Sequence, residues 1–187
     1  RIPATHNQEA SMRTVCSGIV ALLLGTAVVA AQAPPQKPGP EHKRLERMVG
    51  QWQYEGEAKA SPLGPAGKIS GSETCEWFQG GFGIVCRSKG TGPKGPMTGL
   101  NVMSYDPAQK AYTYYAISSL GDNIFVRGHI NGNVWTFEDT MEADGKTMKI
   151  RATVTEESPT VSVFKMEVGP ADGQMMVVEE GRSTKKK

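Results

Sequence analysis

The sequence carries no Gly-x-Ser-x-Gly nucleophile elbow, no His-Glu-x-x-His pair and no Cys/His metal-ligand spacing. Hydrolase and zinc chemistry of the familiar kinds is therefore not expected. The glycine-rich run Gly90-Thr91-Gly92-Pro93-Lys94-Gly95-Pro96 has no helix after it and ends in proline, so it is no phosphate loop. Charge of one sign is scarce too: 21 Lys and Arg against 19 Asp and Glu leave +2 over 187 residues. That excess is too small for nucleic-acid binding by bulk electrostatics. The longest apolar run, Gly18 to Ala31, falls short of the roughly 20 residues a bilayer span needs.

That run has a different use. Met12-Arg13, the apolar run and then Val29-Ala30-Ala31 follow the order of a secretory signal peptide, with cleavage expected before Gln32. Residues 1–11 read as an upstream leader, 12–31 as the signal peptide and 32–40 as a Pro-rich linker. Cys16 precedes most of the apolar run, which argues against a lipidated cysteine. The expected location is periplasmic or secreted, with no transmembrane segment after cleavage. Processing would leave 19 basic and 18 acidic residues. Residues 183–187 read as a solvated basic tail.

Two cysteines then remain, Cys75 and Cys86, in a compartment where a disulfide persists. Gly80-Gly81 between them is a turn signal flanked by aromatic and β-branched residues. A turn centred there sets Cys75 opposite Cys86 at about 4.5–5.5 Å between Cα atoms, within disulfide reach. A four-residue loop places them at a non-hydrogen-bonded pair, where side chains come closest, and is the loop predicted. The spacing is not that of a redox Cys-x-x-Cys motif.

The rest is strand and turn. A short helix is predicted over Pro40 to Val49, ended by Gly50. Trp52, Tyr54, Gly56 and Ala58 alternate with polar neighbours, as do Met148, Ile150, Ala152 and Val154. Gly90 to Pro96 reads as a loop, Asn131-Gly132 as a type I′ turn, and Gln174 to Glu180 as the last strand. Nine or ten strands in a short-turn meander predict an all-β antiparallel up-and-down barrel with a short N-terminal helix. Closure removes exposed edges. All 13 aromatics fall between Trp52 and Phe164, which supports one core and a single barrel domain over 41–182.

Glu41 to Gly56 places a short helix before Gly50-Gln51-Trp52 at the first strand. This arrangement resembles the calycin-type barrels, which include lipocalins and fatty-acid-binding proteins. With Phe78-Gln79-Gly80-Gly81-Phe82, Tyr105-Asp106-Pro107 and Asp144-Gly145-Lys146, the chain more closely resembles the bacterial exported domain-of-unknown-function family 1579 over about residues 41–182. The resemblance implies a calycin-like barrel of eight to ten strands and no established activity. Related barrels bind haem through an axial His; His42 and His129 sit in no matching motif, so no haem and no other cofactor or metal is expected.

Trp52, Tyr54, Trp77, Tyr112, Tyr114, Trp135 and Phe137 are the candidates for lining an interior. Arg127 and His129 share a strand face with Phe125. They would meet an anionic ligand if that face points in, and solvent if Ile124 and Val126 do. Glu156-Glu157 and Glu179-Glu180 read as solvated pairs on opposite strand faces. The expected function is binding of a small apolar or amphipathic molecule in the barrel. The alternatives are a barrel enzyme of isomerase or decarboxylase type, or an envelope interaction module with a filled barrel.

Overall fold

Alternating apolar positions give each strand one face to bury, and short turns bring successive strands side by side. The computed structural model describes residues 37–143 and 145–186. The leader, the signal peptide, most of the linker and Lys187 lie outside them. Pro40–Lys43 forms one helical turn (α1), with Pro40 in the first turn and the Gly39 N–H donating to His42 Nδ1 at 3.2 Å. A 3₁₀ turn, Arg44–Met48, continues it. The predicted single helix is thus two tight turns.

Ten strands follow: β1 (Gly50–Ala58), β2 (Gly67–Trp77), β3 (Gly83–Gly92), β4 (Gly95–Asp106), β5 (Ala111–Ser118), β6 (Asn123–Asn131), β7 (Val134–Ala143), β8 (Lys146–Ser158), β9 (Val161–Pro170) and β10 (Met176–Lys185). Each pairs antiparallel with its sequence neighbours, and β1 pairs with β10, so the sheet closes. The predicted all-β up-and-down barrel is the fold. Three local expectations change. The run 90–96 is mostly strand, with only Pro93 and Lys94 between β3 and β4. Ser183, Thr184 and Lys185 belong to β10 and pair with β1, because the closing ladder needs them. Asn131 pairs with Val134, so the turn centres on Gly132-Asn133 and only Gly132 takes a positive φ, 61°.

Cys75 and Cys86 are directly opposed and disulfide-bonded. The Phe78 N–H donates to Gly83 O at 2.9 Å, leaving residues 79–82 as a four-residue loop. Counting down the ladder, this places the cysteines at a non-hydrogen-bonded pair, as predicted. Both are buried in the core with Ile84, Met103 and Trp135. Replacing both by alanine is expected to lower unfolding free energy by about 2–3 kcal/mol, since the closed loop is short. Urea melts of the variant and of the parent protein check this.

The helical turns lie at the end of the barrel where β1 begins, and aromatic tips bind them there. Trp52 Nε1 donates to Met48 O (2.8 Å), Trp77 Nε1 to Glu46 Oε2 (2.7 Å) and the Tyr112 hydroxyl to Glu41 O (3.1 Å). Leu45 is fully buried beneath them. That end is closed by packing.

Candidate functional site

At the other end, the loops after β1, β3 and β5 surround an opening. A cavity of about 180 Å³ sits in it, walled by Leu63, Ile69, Met97, Leu120, Val178 and Glu179. Ile69, Met97 and Glu179 come from strands and reach inward. A β-bulge between Val177 and Glu179 breaks the alternation of β10 and leaves Val178 buried and Glu179 half-buried. Methionine continues around the upper wall: Met141 faces Met148 across β7 and β8, and Met166 faces Glu179 across β9 and β10. Flexible thioether side chains make such a wall adaptable to shape.

Below the cavity lies a polar layer. Glu73 sits deep in the barrel, and its Oε1 accepts from Asn101 Nδ2 at 2.7 Å. Burial raises its pKa above the ordinary carboxyl value of 4.5, against the smaller lowering effect of the Asn101 bond. Burial likewise raises Glu179, and no hydrogen bond or ion pair offsets it among the described residues. The Tyr54 phenol is raised by burial, then by the charges of Glu73 and Glu179. The Tyr114 phenol is raised by burial and by Glu73, and finds no hydrogen-bond partner among the described residues. Gly71 and Gly90 make room for Tyr54: a Cβ at either would collide with its hydroxyl.

These shifts have a sign in stability. Glu73 and Glu179 hold protons more tightly folded than unfolded. Their burial is fully tolerated below the ordinary carboxyl pKa near 4.5 and becomes destabilising as pH rises through the raised values. A Glu73→Gln, Glu179→Gln variant is therefore expected to gain stability relative to wild type as pH rises through that window. Denaturation midpoints across the pH series check this; a constant difference would contradict it.

Glu73, Cys75 and Cys86 bring a carboxylate oxygen and two sulfurs within 4.8 Å of one another. The sulfurs are joined in the disulfide, so they offer no thiolates to a metal.

The sequence-derived candidates divide into three groups. Tyr54, Tyr114 and Phe137 face the interior, with Tyr114 and Phe137 rings 5.9 Å apart. Trp52, Trp77, Tyr112 and Trp135 do not line the opening; they pack the closed end. Arg127 and His129 are exposed on the outer face, because Val126 and Ile130 pack inward against the core. The Arg127 guanidinium lies 5.0 Å from the Phe125 ring there. An interior Arg–His anion site is thus corrected to a surface feature, and the enzyme variant that used those two residues falls with it.

Sequence reasoning missed Glu73 and misread Glu156 and Glu179, the latter standing in the cavity wall and not in solvent. Glu73 shares strand parity with Ile69, Cys75 and Trp77, which was the available signal. Glu156 is no solvated strand end: it holds Arg44, Arg47 and Trp135 at the closed end. Glu157 and Glu180 do lie outside, paired with Arg182 and Lys59. A broader depression of about 970 Å³ covers the outer face of β1, β2 and β7 to β10, where apolar residues such as Val134 and Val163 lie among charged ones such as Glu55, Lys68 and Arg182.

A family model described as "Protein of unknown function (DUF1579)" matches residues 37–185. No curated protein matches the chain. Among solved structures, Rv2717c from M. tuberculosis is similar at a TM-score of 0.55 and 9% identity, covering 81% of this chain and 100% of that one. A de novo designed fluorescence-activating β-barrel gives 0.43 and 14%, covering 76% and 96%. A redesigned β-barrel, mFAP0, bound to DFHBI, gives 0.42 and 15%, covering 74% and 99%.

Proposed function

The chain belongs to the DUF1579 family of proteins of unknown function, and from the geometry of its barrel we infer that it binds a small amphipathic molecule through the open end. One observation carries this reading: one end is sealed by bonded aromatics, while the other keeps a cavity of about 180 Å³ with an unpaired carboxyl in its wall. An apolar cavity of about 150 Å³ holds a benzene-sized molecule. The upper barrel thus fits a ring or short chain bearing one polar group, and excludes a long lipid. The apolar wall supplies affinity and the acids supply orientation.

An exported setting is supported by the Cys75–Cys86 bridge, which persists in oxidising compartments.

The test is displacement of a small solvatochromic dye by extracts or compound panels, with Met97→Trp as the blocking variant. Tryptophan at the neck is expected to abolish dye binding while leaving the fold intact by circular dichroism. Undiminished dye binding in that variant would move the site elsewhere, and a wild-type barrel that takes up no small molecule would refute the reading.

A further inference from the structure

The cavity wall carries two carboxyls, Glu179 and Asp122, of which Asp122 accepts from the Ser118 hydroxyl, and a third, Glu73, lies beneath it. Glu179 stands in the wall without a partner among the described residues, and Glu73 lies deeper, opposite Trp52 of β1, with a single neutral bond, to Asn101. The Tyr54 hydroxyl packs over Gly71 and Gly90, and the charges of Glu73 and Glu179 both raise its pKa. Among the described strand residues of the upper barrel, the cation that shares inward parity is Lys146, exposed at the first residue of β8. The cations that line the opening, among the described residues, are Lys59 and Lys94, both exposed at the rim. Lys59 is bound to Glu180 Oε1 at 2.8 Å, and the stem of Lys94 packs over Gly64.

Desolvation decides between these groups. Two unit charges about 4 Å apart attract by roughly 1 kcal/mol in water and roughly 4 kcal/mol at the effective dielectric of a protein site. An exposed rim lysine therefore gains little from an anion, whereas a half-buried, unpaired carboxylate gains much from a cation.

Resting on the reading that the open end takes a ligand, we propose that this ligand is a small amine, cationic at neutral pH. Its ammonium group sits against the Glu179 carboxylate, and its apolar body lies along Ile69, Met97 and Val178. Binding requires Glu179 ionised, so a neutral Glu179 releases its proton to solvent when the ammonium arrives.

The experiment uses three probes of one skeleton: 2-phenylethylamine, 2-phenylethanol and phenylacetate. Calorimetry is run in two buffers of different ionisation enthalpy on the wild-type protein and on Glu179→Gln. The amine is expected to bind at least tenfold more tightly than the alcohol or the acid, with proton release that grows toward acid pH. Glu179→Gln is expected to lose tenfold or more of amine affinity, keep its affinity for the alcohol and show no linked proton release. Methyl shifts of Ile69 and Met97 locate the probe.

Equal affinity for amine and alcohol, or tighter binding of phenylacetate through the rim lysines, would overturn the amine assignment while leaving the ligand-binding reading standing. Absence of all three probes together with absence of dye uptake would remove both. Should Glu179→Gln misfold, the proton release and the three-probe ranking on wild type decide the matter alone.

Discussion

Trp135→Ala is expected to lower unfolding free energy by about 4 kcal/mol, within the range for deleting a buried large aromatic. Trp135 is fully buried, with the Tyr112 ring 4.7 Å away and the Arg44 guanidinium 5.7 Å from its own ring. Its strand partners there are Ile130 and Val154. Truncation opens a cavity that closed strands cannot collapse around. It also leaves Glu156 Oε1 without the 2.8 Å bond from the indole. For a domain of this size each kcal/mol is worth roughly 2–4 °C, so the midpoint should fall by roughly 8–16 °C. Differential scanning calorimetry reads this directly. Trp135→Phe restores most of the volume but no donor, so it is expected to recover only part of the loss. A loss below about 1 kcal/mol for the alanine variant would show that the closed end can repack.

Glu156→Ala is the second large effect, about 3 kcal/mol. Glu156 Oε2 lies 2.7 Å from Arg44 Nη2 and 3.3 Å from Arg47 Nε, and Oε1 takes the Trp135 bond. The carboxylate is nearly buried, with a side-chain exposure of 10%. Arg47 is 15% exposed and its buried Nε makes no hydrogen bond, so the Glu156 charge is what offsets it; Arg44, at 35%, stays partly hydrated. Breaking a buried pair costs about 3–5 kcal/mol because a charge is left stranded. The hydration open to Arg44 places the expected cost at the low end. Glu156→Gln keeps an acceptor for Trp135 and should cost less than the alanine variant. The readout that separates a clasp from general destabilisation is amide exchange at Arg44–Met48, expected to rise in Glu156→Ala before the strands open. Unchanged protection there would mean the helical turns are held by Leu45 and the indole bonds alone.

Both predictions concern the sealed end, and sealing matters because it leaves one way in. Three indoles and a tyrosine that composition suggested as ligand contacts instead tie down the leading turns. Their residue types permit either use. An aromatic with a polar tip buries its ring equally well against a ligand or against a helical plug. Position along the barrel axis separates the two, and that depends on where the closing turns land.

Strand order, hairpin register and the cystine were legible from residue order, because each is settled within about a dozen residues. Alternation names one face per strand, turn residues set the loop, and Cys75 and Cys86 oppose each other once the loop has four residues. The same local logic favours the face of Ile124 and Val126 over that of Arg127 and His129 as the inward side of β6. Closure settled the rest. Glu156 is a charge hub only because β8 ends beside the leading turns, more than a hundred residues from Arg44. Glu179 enters the cavity through a bulge that no alternation pattern announces. Glu73 becomes a deep acid when ten strands shut around it and water is excluded. Burial, bulges and encounters across the barrel are properties of the closed surface, and so is the acidic interior that an amine would find there.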